Sequence, residues 1–286
     1  MAGTPGTPAR GESVPLPARR WRAPLAYQDA GGTAARRPKA TLVQDPERLT
    51  RHLVAWLRAR ADEAGAVGAV VGISGGVDSA TVAALCLRAF PDATLGVVMP
   101  CHSDPRDLDD ARTVAETLHL PVTTVVLDGV YDALVAALQT SAYYADHRIA
   151  LANLKPRLRM TTLYYFANRL NRLVVGTGNR SELAVGYFTK YGDGGVDVLP
   201  LGTLTKGEVR ALARALGVPE AIVDRVPTAG LWPGQTDEHE LGVTYAVLDR
   251  YLLTGEAPDD VRQRIERLRA ASEHKRRPPP VPELPA

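Results

Sequence analysis

Residues 74–79 read Ser74-Gly75-Gly76-Val77-Asp78-Ser79, two glycines flanked by hydroxyls with a carboxylate near the end. The apolar run Ala69-Val70-Val71-Gly72-Ile73 precedes them, and Ala80-Thr81-Val82-Ala83-Ala84-Leu85, which reads as a helix, follows. A strand, a tight glycine turn and a helix start make a cradle for phosphate. Glycines let the backbone approach an anion without a Cβ clash, and a helix N-terminus offers unpaired N–H groups with partial positive charge. Ser74 and Ser79 add hydroxyl donors. The Gly-Lys-[Ser/Thr] ending of the common nucleotide loop is missing, and Asp78 stands where its lysine would be. A carboxylate repels phosphates unless a divalent cation stands between them, so the loop predicts ATP with Mg²⁺ and a departing pyrophosphate. The plainer alternative is a glycine turn in which Asp78 and Ser79 only cap the helix.

A second stretch, 176–197, is dominated by polar residues and glycine where a simple connection would need only a few residues. Glu182 sits just after a strand end, where it can share a cation with Asp78, although a capping or solvated glutamate is the default. Lys190, Asp193 and Asp197 lie in a glycine-punctuated loop suited to wrapping a substrate and closing on it. Further on, Thr205-Lys206-Gly207-Glu208 has the form of a capping box opening a helix. By residue type alone, Lys190, Lys206 and Lys275 would be solvated surface lysines.

These groups need a scaffold, and the hydrophobic pattern supplies one. Leu49, Leu53, Trp56 and Leu57 fall on one face of a helix over 45–64. Strands are expected near 67–73, 94–100, 122–128 and 172–177, with helices near 79–89, 105–118, 129–139 and 156–170 between them. Helices to about Leu216, near 236–254 and near 258–271 follow. Apolar strands separated by helices give an α/β, doubly wound parallel sheet with helices on both faces. Ligands bind such sheets at the carboxyl ends of the strands, where both 74–79 and Gly176-Thr177-Gly178-Asn179 lie.

The chain has 286 residues, enough for one large domain over 41–286. Residues 1–40 hold seven basic and two acidic residues, a net of +5, so the overall +2 leaves −3 for 41–286. The first forty residues, rich in Pro, Gly, Ala and Thr, read as a disordered or loosely attached arm. The mildly acidic remainder argues against nucleic-acid binding. No apolar run reaches membrane-spanning length and no secretory signal is visible, which predicts a cytoplasmic protein with no membrane partner. Cys86 and Cys101 suggest neither a disulfide framework nor a metal site.

The loop is similar to that of the ATP pyrophosphatases, and a wider ensemble resembles NAD synthetase. It comprises 72–79, Pro156-Arg157-Leu158-Arg159-Met160, 186–195, Leu204-Thr205-Lys206, 227–232, 234–238 and His274-Lys275-Arg276. The likeness runs in order from about 45 to 282 and favours the short, ammonia-dependent type. The glutamine-dependent type carries a further nitrilase-like domain for which these residues leave no room. The resemblance implies a Rossmann-like fold of the adenine nucleotide alpha-hydrolase kind. It also implies ATP-dependent amidation of deamido-NAD with ammonia, through an acyl adenylate, to NAD, AMP and pyrophosphate. Gly72, Ile73, Ser74, Gly75, Gly76, Val77, Asp78 and Ser79 would hold ATP with Thr177, Lys206 and Thr228. Asp78 and Glu182 would bind Mg²⁺, and Arg157, Lys190, Asp197, His274 and Lys275 would hold deamido-NAD. Asp78 and Lys206 would act in catalysis, with Asp193 a candidate to deprotonate ammonia. Segments 186–197 and 225–237, the latter with Trp232, would close over the reaction. A homodimer is expected, with the dinucleotide near the subunit boundary. The rival readings are another adenylating amide synthetase, a tRNA-modifying ATP pyrophosphatase and a nucleotide sensor without activity.

Overall fold

The computed structural model describes residues 45–232 and 234–284; the expected arm over 1–40 lies outside them. Helix α1 (Pro46–Ala64) starts where the Asp45 carboxylate accepts from the Arg48 N–H at 2.9 Å and stops at Gly65 in the left-handed region. Its Leu49, Leu53 and Leu57 are buried, as their spacing predicts.

Among the described residues four parallel strands follow: β1 (Ala69–Gly72), β2 (Thr94–Val98), β3 (Val122–Thr124) and β4 (Leu173–Val174), in the order β3-β2-β1-β4. Strand alternation divides them between two cores. Ala69, Val71 and Ile73 pack in the core that also takes residues of α1, whereas Val70 packs with Val97, Met99 and Val174 in the other. The connections are α2 (Val77–Ala89), α3 (Pro105–Leu118), α4 (Asp128–Gln139), α5 (Arg148–Ala152) and α6 (Leu154–Leu170). The sheet is thus doubly wound, as expected. It grows from β1 outward to β3, and then the chain returns to the other side of β1. That reversal opens a crevice between the ends of β1 and β4.

Two short expectations change. The strands near 122–128 and 172–177 contract to β3 and β4, although a single parallel bridge, Val175 to Val198, prolongs the β4 edge. After α7 (Arg180–Val185), α8 (Lys206–Ala215) and α9 (Glu220–Val223), the single helix expected near 236–254 is two helices, α10 (Asp237–Leu241) and α11 (Tyr245–Thr254). Gly242 turns left-handed at φ 64° with the Arg264 guanidinium against it, and the Thr244 side chain then caps α11. These elements, with α12 (Asp259–Ala271) and α13 (Glu273–Arg276), gather a third core around Val185, Leu241, Tyr245, Leu248 and Ile265.

Candidate active site

The crevice opens on a cavity of about 460 Å³, and its floor is the 74–79 loop. Gly75 adopts φ +78°, and a Cβ there would lie 2.8 Å from the Asp107 carbonyl oxygen, so glycine lets the loop pass against α3. Ser79 Oγ donates to the Gly76 carbonyl at 2.9 Å and pairs with Ser74 Oγ at 3.1 Å, which folds the loop into a cup. Gly76 caps α2 without a side chain, leaving the first-turn amides for an anion.

Three charged groups meet above this floor. Lys206 Nζ, almost fully buried, lies 2.5 Å from Asp78 Oδ2 and 3.3 Å from Glu182 Oε1. Burial alone would lower the Lys206 pKa, but Asp78 and Glu182 outweigh it and hold the ammonium charged. Burial raises the Glu182 carboxyl; Lys206 opposes that shift and Asp78 adds to it.

Local folding places each member. Asn179 and Glu182 form a reciprocal capping box that opens α7, and Asn179 Nδ2 also donates to Asp78 Oδ1 at 2.9 Å. Thr205 and Glu208 form the capping box foreseen for α8, which sets Lys206 in its first turn. The buried Asp249 carboxylate accepts from Gly207 N at 2.7 Å and from Ser181 Oγ, tying α7, α8 and α11 together. Tyr245 presents its ring to Lys206, with Nζ 5.1 Å from the centroid.

Of the residues singled out by sequence, Gly72, Ile73, Ser74, Gly76, Val77, Asp78, Ser79, Thr177, Glu182, Asp193, Lys206, Thr228 and Lys275 line the cavity. Gly75 lies beneath it. Lys275 Nζ donates to the Gly186 and Phe188 carbonyls at 2.8 and 2.9 Å, so it fastens the loop it also lines. Asp193 Oδ1 accepts from Thr189 N at 2.9 Å, closing that loop on itself.

Arg157, Lys190, Asp197 and His274 stand outside the cavity. Three of them form a chain on the surface: Arg157 Nη2 donates to the Lys190 carbonyl at 3.4 Å, and Lys190 Nζ to the His274 carbonyl at 2.7 Å. Asp197 accepts from Val174 N at 2.8 Å and from Tyr164 OH at 3.0 Å, bracing β4.

Segment 225–237, one of the two expected to close over the reaction, also lines the cavity. Arg225 pairs with Asp107 and Asp110 on α3, Lys155 Nζ donates to the Leu231 carbonyl at 2.9 Å, and Arg148 lies over the Trp232 ring. Sequence reading gives no individual role to Asn179, Asp249, Asp237, Tyr245 or Arg225, although it places Asn179 at a strand end and Arg225 and Asp237 within the expected lid. Only Asn179 left a local signal, the Asn-x-x-Glu spacing to Glu182.

The profile of the NAD synthase family matches residues 49–279. The chain belongs to that family. An NH₃-dependent NAD⁺ synthetase of Carboxydothermus hydrogenoformans is 55% identical over 238 residues, covering 83% of this chain and 98% of that protein. Its counterpart in Archaeoglobus fulgidus is 46% identical over 242 residues, covering 82% and 96%. Among solved structures, an NMN synthetase of Francisella tularensis superposes with a TM-score of 0.80 at 37% identity, over 84% of this chain and 99% of that one. The NH₃-dependent NAD synthetase of Campylobacter jejuni, solved with nitrate, gives 0.68 at 29% identity over the same shares. Membership in the NAD synthase family makes the chain an ATP-using ligase.

Proposed function

We propose that the crevice turns the nicotinate carboxylate of deamido-NAD into an amide, using ATP and ammonia and releasing NAD, AMP and pyrophosphate. A carboxylate is a poor electrophile with a poor leaving group, and adenylation cures both defects. A carboxylate oxygen attacks the α-phosphorus, the bond to the bridging oxygen breaks, and pyrophosphate leaves with the electron pair. The first-turn amides of α2 and the Lys206 ammonium face the charge that grows on pyrophosphate. The lone pair of ammonia then adds to the acyl carbon, nitrogen loses a proton and AMP departs. Asp193, at the cavity wall, is assigned to receive that proton. Segments 186–197 and 225–237 keep water from the adenylate. The observation that carries this reading is the buried Lys206 ammonium gripped by Asp78 and Glu182 beside an uncapped helix N-terminus.

Asp78 and Glu182 fit Mg²⁺. Two carboxylates converge on one point, and Mg²⁺ is usually held by one or two carboxylates with substrate phosphates and water completing its shell. Bound there, it supplies charge neutralisation and polarises the phosphoryl group. Arg157, Lys190, His274 and Asp197 are assigned to deamido-NAD at the outer rim. A second copy of the chain is assigned to cover α4, which buries none of its residues, and the exposed Tyr143 and Tyr165. Sedimentation at twice the chain mass checks that assignment. No helix among the described residues is long and apolar enough to cross a membrane, and we assign the reaction to the cytoplasm.

The likeness to an NMN synthetase at a TM-score of 0.80 favours one second reading, amidation of nicotinate mononucleotide in the same crevice. One experiment separates the two. The protein is incubated with ATP, Mg²⁺ and ammonium plus either deamido-NAD or nicotinate mononucleotide, with glutamine replacing ammonium in parallel tubes. Equal yields of NAD, AMP and pyrophosphate from deamido-NAD with ammonium are expected. Turnover of the mononucleotide alone would replace the first reading with the second.

A further inference from the structure

Asp237 stands at the phosphate end of the crevice with no role in the chemistry above. It opens α10, lines the cavity and is 4% exposed. Its Oδ2 accepts from Tyr245 OH at 3.0 Å, while its buried Oδ1 has no hydrogen-bond partner. Buried carboxylate oxygens are costly unless a donor meets them, so an unmet one marks a place where a donor arrives in another state.

The surrounding charges identify the donor. Asp78, Glu182 and Asp237 share one buried ammonium, Lys206, and two of the three carboxylates already hold it. Lys206 Nζ lies over the Tyr245 ring whose hydroxyl holds Asp237, so the two charged groups flank one aromatic platform. A divalent cation bound to Asp78 and Glu182 would occupy the point where Nζ now sits, and two cations cannot share it. The lysine has a flexible four-carbon stem rooted in the first turn of α8, so its head can move while its backbone stays fixed.

We propose that Asp237 is a positioning residue that receives the Lys206 ammonium when a divalent cation claims Asp78 and Glu182. The hand-off keeps the lysine charged, buried and beside the phosphates instead of expelled. It rests on the reading of Asp78 and Glu182 as metal ligands.

The test measures Mn²⁺ affinity by electron paramagnetic resonance on the full chain, with and without a non-cleavable ATP analogue. Asp237→Asn should weaken Mn²⁺ binding about tenfold, because the displaced lysine loses its charged acceptor. Lys206→Met removes the competitor, so Asp237→Asn added to it should change affinity by less than about twofold. Unchanged binding in Asp237→Asn overturns the hand-off. A tenfold loss that persists in the Lys206→Met background also overturns it, since Asp237 would then act on the hydrated cation itself. Should Asp237→Asn not fold, a crystal structure of the Mn²⁺-loaded native chain decides. Lys206 Nζ within about 3.2 Å of Asp237 Oδ1 supports the proposal, and Nζ still on Asp78 refutes it. Glu182→Gln is the control for the underlying reading. If it binds Mn²⁺ as well as the native chain does, the metal assignment fails and the hand-off falls with it.

Discussion

The two ends of the active site are built on different principles. At the phosphate end, Asp78, Glu182 and Lys206 are mostly buried, and each is held by a further group, Asn179 or Tyr245, before any substrate arrives. At the outer rim, Arg157, Lys190 and His274 lie toward solvent and are joined through carbonyl oxygens. The inner groups are pre-organised by mutual charge in a low-dielectric setting. The outer cations hold only neutral acceptors in water, so an anionic ligand can take them over with little loss. The contrast teaches that the inner charges are already partnered with one another, whereas the rim cations are loosely engaged donors.

Substitutions at each end can break that contrast. Asp78→Asn should have the largest effect, lowering kcat about 10²- to 10³-fold while the melting temperature stays within a few degrees, because Glu182 still pairs Lys206. Pyrophosphate release at the native rate would remove Asp78 from the chemistry. Lys190→Ala should act on binding alone, raising KM for deamido-NAD roughly tenfold with KM for ATP unchanged, the value of one hydrogen bond to a charged group. Equal rises for both substrates would join the two ends into one unit. Asp197→Ala should cost about 1–3 kcal/mol of stability by denaturant titration, because it strips the Val174 N–H and Tyr164 OH of their acceptor. A rise in KM with stability unchanged would remove the bracing role and leave Asp197 to the substrate alone.

Legibility in the sequence followed the range of the interactions. The 74–79 loop, the Thr205-Glu208 capping box and the alternation of strands and helices are local patterns, and the folded chain has them where the residues imply. The break at Gly242 was hidden because both flanking helices carry the same helical periodicity, and only the Arg264 contact shows why the turn sits there. Asp249 and Tyr245 could not be found from spacing. They reach α8 and Lys206 from about forty residues away, through the packing of the third core. The surface position of Arg157 and Lys190 was equally hidden, since a lysine in a motif reads the same whether it points inward or out.

The cavity takes its walls from Gly72 near one end of the described chain to Lys275 near the other. Its lining is assembled from segments spread along the described chain. Enzymatic turnover is therefore a stringent gauge of whole-chain refolding: a denatured sample should regain activity no earlier than its slowest-docking segment, and a nick between any two walls should silence the enzyme if the pieces part.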